Sequence, residues 1–134
     1  MAYSELIAAL KIYVGEYDFA VDGGAISTIP LRAGAGSQGP IPNGSVIMGG
    51  YFEILTAFTT GSAAQAALTA ESAADLQAAA VVSGAPYSTL GQKSVVPVFT
   101  GASSIKTTAA RSPSIVISVG TITAGKLRLV LVYR

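Results

Sequence analysis

Apolar and polar residues alternate with a period of two along most of this chain, the pattern of strands that bury one face. Tyr17, Phe19 and Val21 alternate with Asp18, Ala20 and Asp22, and Asp22-Gly23-Gly24 then predicts a turn into a second strand over 25–31. Residues 33–45 (AGAGSQGPIPNGS) read as a long loop, because repeated glycine and two prolines sustain neither a sheet ladder nor a helix. A long strand is expected over 46–58, with Gly49-Gly50 marking a bulge or bend. In its second half Phe52 and Ile54 face one way, and Tyr51, Glu53 and Leu55 the other. The alanine-rich stretch after it divides into a strand over 63–70 and a short helix over 72–79, N-capped by Ser72 with Asp75 at N3. Residues 83–94 read as loop, followed by strands over 95–99, 105–108 and 114–119 and a tight connection over 121–125. The closing strand, 126–134, is the clearest: Leu127, Leu129, Leu131 and Tyr133 share one face.

About eight strands with turn signals at short intervals indicate an all-β chain, a β-sandwich or jelly roll with one short helix. Residues 1–15 stand apart. Leu6, Ile7 and Leu10 fit one face of a short helix, whereas Leu10, Ile12 and Val14 alternate. This segment is either the first strand of the body or an N-terminal arm that reaches a neighbour. The domain reading is therefore an arm, 1–15, and a single sandwich domain, 16–134. The arm reading implies that residues 1–14 can be removed without unfolding the sandwich.

Composition narrows the chemistry. The 134 residues contain no cysteine and no histidine, which removes thiol and Ser–His catalysis and ordinary zinc sites. Charged residues are 11 % of the chain, against roughly 25 % in a typical soluble domain. So few charges cover a monomer's surface poorly and point to a packed assembly. The net charge of +1 lacks the footprint of a nucleic-acid binder. The charge-free stretches are broken by Gly, Pro, Thr and Ser, so no membrane span is expected. Glu5 and Lys11 interrupt a signal-peptide pattern, which reads as a chain made and used without export.

Motif matches are weak. Gly34-Ala35-Gly36-Ser37-Gln38-Gly39 fits G-x-G-x-x-G with Glu53 beyond it, but Pro40 and Pro42 preclude the helix a dinucleotide site requires. Ser103-Ser104-Ile105-Lys106 fits S-x-x-K without the helix that chemistry requires. Asp18 and Asp22 share a strand face beside a turn, where they are either calcium ligands or a solvated hairpin end. Lys93, Lys106, Arg111, Lys126, Arg128 and Arg134 make the C-terminal part locally positive, suited to an acidic surface or simply to solubility.

The segments SGAPYSTL (83–90) and TAGKLRLVLVY (123–133) resemble a family of small virion structural proteins of tailed bacteriophages. The likeness continues, in order, through YDFAVDGGAISTIPL (17–31), TAESAADLQAAA (69–80) and SSIKTTAARSPSIVIS (103–118). The resemblance implies a β-sandwich of jelly-roll type, commonly trimeric, that decorates or cements the capsid without catalysis or cofactor. It further implies assembly in the host bacterial cytoplasm and location on the virion, with the major capsid protein and copies of itself as partners and neither nucleic acid nor membrane. The expected capsid or subunit interface comprises Leu6, Ile7, Leu10, Ile12 and Tyr13 of the arm and Gln38, Pro40 and Ile41 of the 33–45 loop. The alternative is a tail or head-fibre module that binds host glycan. Tyr51, Tyr87 and Phe99 are its available aromatic platforms, none of them in a polar cluster along the sequence.

Overall fold

A computed structural model describes residues 9–37 and 39–134. Among the described residues, ten strands and one single-turn helix follow in the order β1 (Lys11–Asp18), α1 (Phe19–Asp22), β2 (Ser27–Pro30), β3 (Arg32–Ala33), β4 (Val46–Thr60) and β5 (Gln65–Thr69). They continue as β6 (Gln77–Val81), β7 (Gly91–Val98), β8 (Ile105–Lys106), β9 (Ser114–Ser118) and β10 (Ile122–Tyr133). One sheet has the order β3-β1-β10-β4-β7, with β8 also on β4, and the other has the order β2-β9-β5-β6. Every pairing is antiparallel, and the main pairs nest: β1 with β10, β2 with β9, β4 with β7, β5 with β6. That nesting of eight strands across two sheets is the jelly-roll topology, so the expected fold class holds. The short β3 and β8 are additions to it.

The alternation produces the core directly. Leu127, Leu129 and Leu131 of β10 and Phe52 and Ile54 of β4 point inward, as predicted, against Leu68, Ile115 and Ile117 of the second sheet. Gly49-Gly50 does mark an irregularity, since the β4–β7 register shifts between Gly49 and Tyr51. Glycine is required at position 50: its φ is +151°, and a Cβ there would collide with the Val130 carbonyl oxygen of β10.

Five local expectations are corrected. Residues 19–22 form α1 rather than strand, and β1 and β2 lie in different sheets, so residues 22–24 close no hairpin. Asp18 caps α1 by accepting from the Ala20 N–H at 3.0 Å, and the Asp22 carboxylate accepts from the Asp18 N–H at 2.9 Å. Residues 72–79 form no helix. Asp75 instead accepts from the N–H groups of Ala70, Glu71 and Ser72, all upstream of it, and Ala74 has φ +54°. The alanines beyond are drawn into β6 by pairing with β5, a tertiary demand that overrides helix propensity. Strand β7 starts at Gly91, inside the expected loop, and β10 starts at Ile122, inside the expected connection.

Residues 11–15, placed with the arm by sequence, belong to the sheet. Strand β1 pairs along its full length with β10, from Lys11–Tyr133 to Asp18–Lys126, and Tyr13 is buried. Of the two readings left open for this segment, the first-strand reading describes it from Lys11 onward. Removing residues 1–14 would take half of a strand flanked on both sides.

The antiparallel registers place the connections 19–26, 61–64, 82–90 and 119–121 at one end of the sandwich. Connections 31–45, 70–76 and 99–113 lie at the other, with the start of β1 and the end of β10.

Candidate functional site

Those of the expected contact residues that are described lie near the second of these ends but do not form one surface. Leu6, Ile7 and Gln38 lie outside the described residues. Leu10 is half-buried, Ile12 is 46 % exposed and Pro40 is exposed. Tyr13 and Ile41 are core residues, at 3 % and 0 % exposure, because Tyr13 is on the inward face of β1 and Ile41 is held by a bridge to Arg111. They are therefore taken up within the chain and present nothing to a partner.

That end is fastened by a polar network. The Glu71 carboxylate accepts from Arg111 Nε at 2.9 Å and Nη2 at 2.7 Å, from the Thr108 N–H at 2.8 Å and from Thr108 Oγ1 at 2.8 Å. These bonds, led by the Arg111 guanidinium, hold the Glu71 carboxyl well below its ordinary range, at about 2. The Ile41 and Arg111 backbones exchange hydrogen bonds of 2.8 and 2.9 Å. Thr107 Oγ1 donates to the Pro42 carbonyl at 2.7 Å and accepts from the Ser45 N–H at 2.9 Å. Three connections are thereby tied together around the 33–45 loop.

The outer face of the six-stranded sheet carries rows set by register. Ile12, Val132, Gly49 and Val98 are successive partners across β1, β10, β4 and β7. The Phe99 ring lies against Gly49 where a side chain would stand, and is itself 61 % exposed. The next row contains Val14, Val130 and Tyr51, and the one beyond it Glu16, Arg128 and Glu53. A groove of about 340 Å³ opens over these two rows, lined by Val14, Glu16, Ala35, Tyr51, Arg128 and Val130. Its wall comes from the residues after β3, where Gly34 packs on Val14. Tyr51 thus sits beside charged partners, contrary to its isolation in the sequence. Strand pairing of distant segments produces that cluster, and no local motif signals it. Of the other two aromatic platforms, Tyr87 is fully buried and only Phe99 is exposed.

The remaining sequence candidates are engaged elsewhere. Asp22 pairs with Arg32 at 2.9 Å. Ser103 accepts from the Val98 N–H within a turn, and Lys106 is in β8. From Gly39 the chain runs into the Ile41 bridge rather than a helix. Of the basic cluster, Lys93 donates to the Thr89 and Leu90 carbonyls, and Arg111 is bound to Glu71. Among the described residues no group of three or more acidic side chains converges as metal ligands do, and no helix is long and apolar enough to cross a membrane.

No protein-family model and no curated protein matches the sequence. Similar architecture is found in solved structures. A chain of the cyanophage Pam1 capsid asymmetric unit superposes with a TM-score of 0.60 at 16 % identity, over 93 % of this chain and 84 % of that one. A chain of the acidic stable capsid structure of Helicobacter pylori bacteriophage KHP30 superposes with a TM-score of 0.61 at 9 % identity, over 92 % and 86 %. At these identities the likeness is one of fold, and it spans nearly the whole of this chain.

Proposed function

We propose that this chain is a non-enzymatic structural protein of a phage virion, a capsid decoration or cement protein that docks as a trimer on the major capsid protein and is assembled in the host bacterial cytoplasm. The observation that carries this reading is the near end-to-end fold likeness to chains of two phage capsids. Surface chemistry supports it. Few charges mean that little ionic hydration is lost when faces are covered, and Ile12, Val98 and Phe99 leave apolar area on one outer face. Subunit interfaces bury on the order of 800 Å² per partner. The docking elements in this reading are residues 1–10 with Ile12, and the 33–45 loop at Gln38 and at Pro40, of which Pro40 is exposed.

The test is cryo-EM of the intact particle, joined to co-sedimentation of purified protein with undecorated capsids. Regular density at three-fold positions on the head is expected. Deletion of residues 1–9, which leaves β1 whole, should abolish co-sedimentation while the melting temperature stays within a few degrees. Density confined to the tail, or full binding by the truncated protein, would overturn the head-docking arrangement.

A further inference from the structure

We propose that the Tyr51 groove is a saccharide subsite that takes a neutral pyranose ring of a surface glycan. This inference stands on the groove's own chemistry and does not require the capsid reading.

The floor is apolar, made by Val14 and Val130, and the Tyr51 side chain adds aromatic surface beside it. A pyranose presents a C–H face to such a floor while its rim carries hydroxyl groups. The polar side of the groove fits that rim. Arg32 and Arg111 are each locked on a carboxylate by paired hydrogen bonds of 2.7–3.2 Å. Arg128 differs: its Nε stands 3.9 Å from Glu16 Oε1, beyond hydrogen-bond distance, and its side chain is 43 % exposed. Its guanidinium therefore keeps donors available at the groove, and Glu16, with a side chain 24 % exposed, keeps acceptor capacity. Vicinal hydroxyls satisfy both at once, accepting from Arg128 and donating to Glu16.

Charge selects among ligands. Glu16 stands 3.9 Å from Arg128 Nε, and Glu53 is the register partner of Arg128 on β4, so the row carries two acidic residues to one basic. An anionic group would meet repulsion, and a simple cation would leave Arg128 unserved. A neutral polyol matches both signs. The volume, about 340 Å³, is at the small end of ligand pockets, roughly 300–1,000 Å³, which suits one or two rings.

The experiment applies the intact protein to an array of neutral, sialylated and sulfated glycans. Saturation-transfer NMR with methyl α-mannopyranoside, methyl α-glucopyranoside and methyl β-galactopyranoside then follows. Binding to at least one neutral hexose is expected. Tyr51→Ala and Arg128→Gln should each weaken it by about tenfold or more, the scale of one lost charge-assisted hydrogen bond or stacking contact. Tyr51→Phe, which keeps the ring and the packing, should retain it within about threefold. Phe99→Ser, on the same face outside the groove, should leave it unchanged. No neutral-glycan signal, a signal only for anionic glycans, or binding that survives both Tyr51→Ala and Arg128→Gln would overturn the subsite. If Tyr51→Ala fails to fold, Arg128→Gln decides the matter alone. Glycan binding and capsid co-sedimentation of the unaltered protein are separate readouts, so failure here is distinct from failure of the docking reading.

Discussion

At the end of the sandwich where β1 begins, three connections are held by charge and hydrogen bonds centred on Glu71, Arg111 and Thr107, whereas the opposite end is filled by aromatic rings. There Tyr17 stacks on Phe58 at 5.7 Å between centroids, and Tyr87 packs on Phe58 at 5.5 Å and on Phe52 at 6.1 Å. The surface above that plug leaves Val21, Ile26, Leu90 and Val119 exposed. The two solutions respond to different variables. Aromatic burial is insensitive to pH and salt and costs most when volume is removed. A carboxylate latch holds its loops only while it is ionised. Adjacent to the latch lies the 33–45 loop that the proposed docking uses, so the polar end fixes the shape of a candidate contact surface while the aromatic end secures the body.

The largest expected effect is at the plug. Phe58→Ala or Tyr87→Ala should lower unfolding stability by about 3–5 kcal/mol, equally at pH 7 and pH 4, as read by urea titration at both values. A loss that changed strongly with pH would show that the ends are not chemically separate.

The latch ranks next and is distinguished by its pH dependence. The Glu71 carboxyl is held at about 2 in the folded chain, against 4.5 for the unperturbed group. Between those values the unfolded state binds a proton that the folded state does not, so stability rises with pH across the window. The latch contribution should be complete above about pH 4.5 and lost as pH falls through about 2. Glu71→Gln should lower the melting temperature by a few degrees at pH 7 and flatten its acid dependence between pH 5 and pH 2. An unchanged acid profile in that variant would remove Glu71 as the titrating group.

Smaller effects sharpen the picture of the aromatic end. Val119 has φ +71°, unfavourable for a β-branched residue, and the residue is 66 % exposed. Val119→Asn should therefore raise stability by about 1 kcal/mol, measurable as a higher urea midpoint with unchanged slope; a lower midpoint would mean that the Val119 side chain contributes packing. The smallest change is Tyr87→Phe. The Tyr87 hydroxyl is buried without a hydrogen-bond partner among the described residues, and desolvation pushes its pKa up. Removing that oxygen leaves no donor stranded, so stability should hold within about 0.5 kcal/mol or increase slightly. A marked loss would indicate that the hydroxyl is in fact satisfied.

Much of this was legible along the chain. Alternation in β10 and β4 named inward residues correctly, because a strand's side chains switch faces at every residue whatever it pairs with. Gly49-Gly50 announced its irregularity for the same local reason. Residues 72–79 did not reveal their state: alanine favours helix, and only the edge of β5 and the upstream N–H groups gathered by Asp75 made the segment turn and strand. Nor did Tyr13 and Ile41, apolar residues near a terminus and in a loop, show whether they faced a partner or the core. That depended on Leu131 of β10 for Tyr13 and on Arg111 for Ile41, partners from distant parts of the chain.

The sequence by itself determined an all-β chain with a low-charge surface and no thiol or imidazole chemistry, since composition and period-two patterning are local properties. Tertiary structure decided the nested pairing that makes a jelly roll, the closure of its two ends by different chemistry, and the meeting of Tyr51, Glu16 and Arg128 in one groove. Those features arise from register between strands far apart in sequence, and a one-residue slip in any of them would turn each side chain to the opposite face.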